Sequence, residues 1–185
     1  MTMEKHVLVP VADGTEELEA VAIIDVLRRA GAKVTVASVE KHLEITASRK
    51  VRLVADAIIG ECEDIDYDLV VLPGGIPGAE HLRDSEPLIR ILNRQIEHGR
   101  LYGAICASPA VVLAAHHLLD GRMATCHPGF AERLPEPSDR NSRVVMDGNL
   151  VTSQGAGTAV EFALTLVEKV FGKEKRDHVA AGMVA

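Results

Sequence analysis

Two hydrophobic periods take turns along this chain. KHVLVPV (5–11), KVTVASV (33–39), YDLVVLPGG (67–75) and LYGAI (101–105) are short runs rich in β-branched residues, and they read as buried strands. Between the first two lies EELEAVAIIDVLRRAGA (16–32), whose apolar residues recur at helical spacing. Its acids fall in the first turn and Arg28 and Arg29 in the last, matching the helix dipole; Thr15 is placed to cap it and Gly31 to close it. LEITASRKVRLVAD (43–56) reads as two short strands outside the main sheet. Helices are expected around Glu86–Glu97, over SPAVVLAAHHLL (108–119) and over TAVEFALTLVEKVFG (158–172), which Gly172 ends. RMATC (122–126) reads as a strand, and SRVVMDGNLVTSQ (142–154) as a hairpin turning at Asp147-Gly148-Asn149. KEKRDHVAAGMVA (173–185) is a last short helix or tail. Strands alternating with helices predict one doubly wound α/β domain over residues 1–185, a mostly parallel central sheet with helices on both faces.

Composition narrows the function. Of 185 residues, 47% are hydrophobic and only 3% aromatic, with no Trp, so the core must be built from Val, Leu, Ile and Ala. The net charge of −7 and the absence of a Lys/Arg run argue against a specific nucleic-acid binder. MTMEKHVLVPV lacks the basic and long apolar regions of a signal peptide, and no membrane span is expected. Cys62, Cys106 and Cys126 show no C-x-x-C spacing, which predicts neither a disulfide framework nor a zinc site and fits a reducing, cytoplasmic setting.

In open α/β sheets, sites form at the carboxyl ends of strands. Three such ends carry candidate chemistry. Cys106 follows LYGAI at a strand-to-helix corner, where free helix amides and the dipole favour a thiolate and a pKa below that of a free thiol; the competing reading is a buried structural cysteine. Glu16, Glu17 and Glu19 share the first helical turn after KHVLVPV. A buried carboxyl among them would stay protonated and could donate a proton, but spacing does not choose Glu19 over Glu17. Gly74-Gly75 suits either a tight strand exit or an amide aimed at an oxyanion. His127, after RMATC, stands as a candidate base, with Cys126 beside it as a packed strand residue. His116-His117 are adjacent and make a poor metal pair, so no metal site is expected.

Together ADGTEELEAV (12–21), ASRKV (47–51), VVLPGG (70–75), AICASP (104–109), HPGF (127–130) and TSQGAGTAVEFAL (152–164) resemble the DJ-1/PfpI superfamily, within it the DJ-1/ThiJ/YajL-like branch. The pieces span nearly the whole chain in the family's order. The resemblance implies a flavodoxin-like sandwich and a homodimer to which the first helix contributes. It implies Cys106 as nucleophile, Glu19 as its carboxyl partner, the Gly75 and Ala107 amides around the site with Gly74, and His127 beside it. Arg49 resembles the arginine that approaches the neighbouring subunit's site. Similar proteins are described as cofactor-independent glyoxalases that turn methylglyoxal or glyoxal into lactate or glycolate, and as deglycases of glycated proteins. They are also described as oxidative-stress sensors whose cysteine becomes a sulfinic acid, and as chaperones. The implied substrate is a small 2-oxoaldehyde, with no cofactor. Two departures stand out. Gly155-Ala156-Gly157-Thr158 replaces the common G-P-G-T, which should loosen that turn. Ala107, where peptidase relatives carry a His after the nucleophile, argues against peptidase activity.

Overall fold

The computed structural model describes residues 4–137 and 142–185. In chain order its elements are β1 (His6–Val11), α1 (Glu17–Arg29), β2 (Lys33–Ser38), β3 (Glu44–Thr46), β4 (Arg52–Val54), β5 (Ala57–Ile58), β6 (Leu69–Leu72) and α2 (Gly78–Arg83). There follow α3 (Glu86–Glu97), β7 (Leu101–Ile105), β8 (Val144–Asp147), β9 (Leu150–Ser153), α4 (Ala159–Phe171) and α5 (Lys173–Met183). Among the described residues the main sheet has seven strands in the order β5-β2-β1-β6-β7-β9-β8. All its pairings are parallel except β8 with β9. The β3–β4 hairpin stands apart, as its sequence predicts.

The apolar runs are explained by burial on both sides. Leu8, Val70, Leu72 and Tyr102 pack on one face with Leu82, Leu88 and Leu92 of α2 and α3. Val7, Val9, Val71 and Val151 pack on the other with Ile23 and Leu27 of α1 and Phe162 and Leu166 of α4. A strand buried on both faces loses polar alternation, and each such side chain contributes about 1.5–3 kcal/mol. The fold is therefore the expected flavodoxin-like sandwich. The order reverses at β1, flanked by β2 and β6, which opens a crevice at the carboxyl ends of β1 and β6.

Three local expectations are corrected. Thr15 does not cap α1: its Oγ1 accepts from the Ala12 amide at 2.8 Å, and the cap is Glu16, whose carboxylate accepts from the Glu19 amide at 2.9 Å. Residues 122–126 are not a sheet strand. β9 already has β7 on one edge and β8 on the other, so the Met123 and Thr125 amides turn to the side chains of Asp147 and Thr152. Ala124 keeps only an isolated bridge to Pro137. Residues 108–119 form not one α-helix but a π-turn over Pro109–Leu113 and a 3-10 turn over Ala114–His116. Pro109 through Leu113 are all buried, so no solvent face exists from which a regular period could be read. The short helix α2 and strand β5 were not legible at all.

Candidate active site

Three strand ends converge here. The turn after β1 delivers the start of α1, the Gly-rich exit of β6 delivers two amides, and β7 delivers Cys106. Backbone bonds lock them together. The Glu16 amide donates to the Gly74 carbonyl at 2.9 Å, the Cys106 amide to the Ser153 carbonyl at 3.0 Å, and the His127 amide to the Cys106 carbonyl at 2.7 Å. The buried Ser108 hydroxyl donates to the Pro73 carbonyl at 2.5 Å, tying the second residue after the elbow to the β6 exit.

Cys106 has φ +65, in the left-handed region that a non-glycine residue enters at a cost of about 1–3 kcal/mol. This is the geometry of a nucleophile elbow, where a sharp strand-to-turn corner presents the reactive atom. The thiol is half-buried. Gly74 permits the corner by close approach: a Cβ there would lie 2.6 Å from Cys106 Cβ and 2.9 Å from Glu19 Oε2. Gly75 combines φ +91 with a would-be Cβ 2.4 Å from the Glu16 amide nitrogen.

The two acids that spacing left equivalent are separated by their partners. Glu17 turns to the β3–β4 hairpin, accepting from Ser48 Oγ at 2.9 Å and the Arg49 amide at 2.7 Å. Burial pushes its carboxyl up, but those donors outweigh it and hold the pKa low. Glu19 is fully buried and accepts the Gly74 amide at 2.7 Å through Oε2, while Oε1 has no protein hydrogen bond that satisfies it. Burial pushes its pKa up to about 7, against the lowering effect of the Gly74 amide and of Cys106.

The expected low thiol pKa is not met. Burial, then the Glu19 charge, pushes Cys106 up to about 12, while the Gly75 and Ala107 amides pull it down. The like-charge part vanishes when the proton sits on Glu19, which then becomes a donor. The two groups are thus coupled, the Glu19 charge disfavouring the Cys106 thiolate.

His127 lies at the rim, exposed, with Nδ1 accepting from the Gly129 amide at 3.1 Å. In the neutral ring this leaves the proton on Nε2, so the free edge is a donor. The structure gathers Glu19, Gly74, Gly75, Cys106, Ala107 and His127. Arg49 stands apart on the β3–β4 loop: its amide holds Glu17, and its guanidinium is exposed with no side-chain partner among the described residues. Cys62 and Cys126 are buried, and burial raises both thiols, Cys126 to about 11. Sequence reasoning missed Glu16 as the cap, Ser108 as a tie and Gly155 as a neighbour of the sulfur. Only the placement of TSQGAG after a strand hinted at the last. Among the described residues no group of three or more His, Cys, Asp or Glu is arranged to hold a metal.

A model of the family described as "DJ-1/PfpI family" matches residues 5–169. The chain belongs to the DJ-1/PfpI family. Protein DJ-1 homolog B of Arabidopsis thaliana is 55% identical over 170 residues, covering 92% of this chain but 39% of that protein. The chain thus spans about two fifths of the length of that plant relative. A protein of Caenorhabditis elegans named glutathione-independent glyoxalase DJR-1.2 is 34% identical over 91% of this chain and 89% of its own. The solved structure of oxidized Toxoplasma gondii DJ-1 superposes with a TM-score of 0.95 at 46% identity, covering 97% of this chain and 98% of that one. The seven-stranded, mostly parallel sheet agrees with the fold of that solved structure. No described helix is long and apolar enough to cross a membrane.

Proposed function

We propose that this protein is a cofactor-independent glyoxalase acting on methylglyoxal and glyoxal. The observation that carries the reading is Glu19, a fully buried carboxyl with its pKa near neutrality, set beside a cysteine at a strained elbow. A carboxyl so tuned both gives and takes a proton at physiological pH. The worm relative named as a glutathione-independent glyoxalase supports the same chemistry.

The reaction runs in four steps. The Cys106 thiolate attacks the aldehyde carbon; a C–S bond forms and the carbonyl electrons move to oxygen, which the Gly75 and Ala107 amides stabilise until Glu19 delivers its proton. The Glu19 carboxylate then removes the hydrogen from that carbon as a proton to give an enediolate. It returns the proton to the adjacent carbon while the hydroxyl proton on the sulfur-bearing carbon passes to the oxygen of that adjacent carbon, leaving a 2-hydroxy thioester. Water adds to the thioester, the thiolate leaves, and lactate or glycolate is released. The sum is addition of one water with no net oxidation. His127, with Nε2–H free, serves as a donor to substrate oxygen. Glycated proteins offer the same aldehyde-derived carbon and are the second substrate class. A cytoplasmic homodimer acting in carbonyl stress is the setting we infer.

The test is lactate itself, measured after incubating purified protein with methylglyoxal and no thiol. Cys106→Ser should abolish lactate formation with fold retained, whereas Cys62→Ser and Cys126→Ser should keep most of it. Lactate from Cys106→Ser at the wild-type rate would end the reading.

A second reading, a redox sensor or chaperone with little turnover, is favoured by the oxidized state of the Toxoplasma relative. A protonated Glu19 would donate to a sulfinate oxygen. Peptide mass spectrometry across a peroxide series should then show Cys106 oxidised first and held as the sulfinate, with Cys62 and Cys126 lagging because both are buried and their thiols raised. Lactate turnover absent in the face of this oxidation would favour the sensor.

A further inference from the structure

Three glycines surround Cys106, and they are not there for the same reason. At Gly74 and Gly75 a side chain would strike the Cys106 Cβ or the backbone of the β1–α1 turn within 2.6 Å, so those positions are closed by packing. Gly155 differs. Its φ of 165 is extended backbone that any residue adopts. Among the described residues, a methyl group built there would meet only His127 Cδ2 at 3.7 Å and Cys106 Sγ at 4.0 Å, both ordinary contact distances. Packing therefore tolerates a side chain at Gly155, and the place that side chain would occupy is beside the sulfur.

The turn that carries Gly155 is held in place. Thr158 Oγ1 accepts the Gly155 amide at 3.1 Å and donates toward the Gly155 carbonyl at 2.9 Å, and it lies 2.6 Å from Ser153 Oγ. The Ser153 hydroxyl in turn donates to the Arg143 carbonyl at 2.7 Å, and its own carbonyl accepts the Cys106 amide. Side-chain hydrogen bonds thus tie the turn beside Sγ, with Ala156 standing in it.

We propose that Gly155 is a specificity-determining residue: its missing side chain leaves the room, between Cys106 Sγ and the His127 ring, that the substituent of a carbonyl electrophile must enter to reach the sulfur. Resting on the glyoxalase reading, this predicts that the site admits 2-oxoaldehydes with substituents larger than hydrogen. It also predicts that filling the gap would restrict the enzyme toward glyoxal.

Thiol access can be read without turnover. Cys106 in wild type, Gly155→Ala, Gly155→Val and Gly157→Ala is alkylated with iodoacetamide or with N-phenylmaleimide, and the rates are followed by peptide mass spectrometry. Gly157 is the control, since a Cβ there meets nothing within 4 Å. Gly155→Val should slow the phenyl reagent about tenfold or more relative to iodoacetamide, with Gly155→Ala between it and wild type. Gly157→Ala should leave the ratio unchanged. In parallel, the preference for glyoxal over phenylglyoxal should rise in the same order. Thermal midpoints verify folding, and Gly155→Ala alone suffices if the valine variant does not fold. An unchanged reagent ratio in folded Gly155→Ala and Gly155→Val overturns the proposal, and so does equal slowing of both reagents, which would mean altered thiol activation. A shifted ratio in a protein that makes no lactate would remove the glyoxalase reading and leave the role of Gly155 standing.

Discussion

Glu19 and Glu17 are two residues apart on one helical turn, yet one is tuned toward a proton carrier and the other is a loop anchor. The helix period cannot tell them apart, because the distinction is made by segments distant in sequence: the hairpin donors at Ser48 and Arg49 for Glu17, the Gly74 amide for Glu19. Cys106, in contrast, was legible as a corner residue because a strand and a following apolar run meet there. Its expected low pKa failed because sequence shows the helix-like amides but neither the burial of the thiol nor the acid beside it. The tuning of Glu19 has a stability signature. Its folded pKa of about 7 lies above the ordinary 4.5, so the native state holds a proton that the unfolded chain has released. The associated stability is fully present below about pH 4.5 and is lost as pH rises through about 7, a swing on the order of 3 kcal/mol. Glu19→Gln cannot ionise and should lack that slope. Its thermal midpoint relative to wild type should therefore climb between pH 5 and pH 8, while lactate formation falls at least about a hundredfold, the scale of general acid–base catalysis. Parallel midpoints across that range would deny Glu19 its raised pKa, and retained lactate formation would move the proton transfer to another group, with His127 next.

The elements explain why these residues meet. β1, β6 and β7 are neighbours in the sheet, so three chain segments far apart in sequence end at one edge. That adjacency follows from the alternation of strand and helix, and it was readable. The segments that were misread share a cause: their backbone or packing partners are tertiary. Residues 122–126 look like a strand by composition but find both edges of β9 occupied, and Pro109–Leu113 are buried throughout. The β6 exit is the element on which the site depends most, since it supplies the Gly74 amide to Glu19 and the Gly75 amide to the sulfur. Gly75→Ala would force a side chain at φ +91 to within 2.4 Å of the Glu16 amide nitrogen. It should destabilise the protein by about 3 kcal/mol, by the joint mechanism of backbone strain and overpacking. Urea unfolding would read this as a lowered midpoint at unchanged slope; a wild-type midpoint would mean that the turn relaxes freely.

At the scale of the molecule, α1 has two working sides. Ile23, Val26 and Leu27 face the sheet, while Leu18 and Val21, three residues apart and therefore on one surface, remain 59% and 46% exposed. Val51, also exposed, sits on the hairpin loop whose amides bond Glu17, so it extends the same apolar region, with the unpartnered Arg49 cation beside it. Exposed apolar side chains with an exposed arginine on the adjoining loop have the make-up of an interface core with a polar contact. We expect a homodimer through this surface, with Arg49 of each protomer directed at its partner. Leu18 is already in water in the protomer, so Leu18→Glu should change monomer stability by no more than about 0.5 kcal/mol. Across a dimer it would bury a carboxylate against apolar neighbours and should drive dissociation. Sedimentation at micromolar concentration should show wild type at twice the protomer mass and Leu18→Glu at the protomer mass, both with native circular dichroism. Arg49→Ala should keep the fold and lower lactate formation if the cation reaches the partner's site. A monomeric wild type, or a dimer indifferent to Leu18→Glu, would place the contact on another face and leave Arg49 as a surface cation whose amide alone is used.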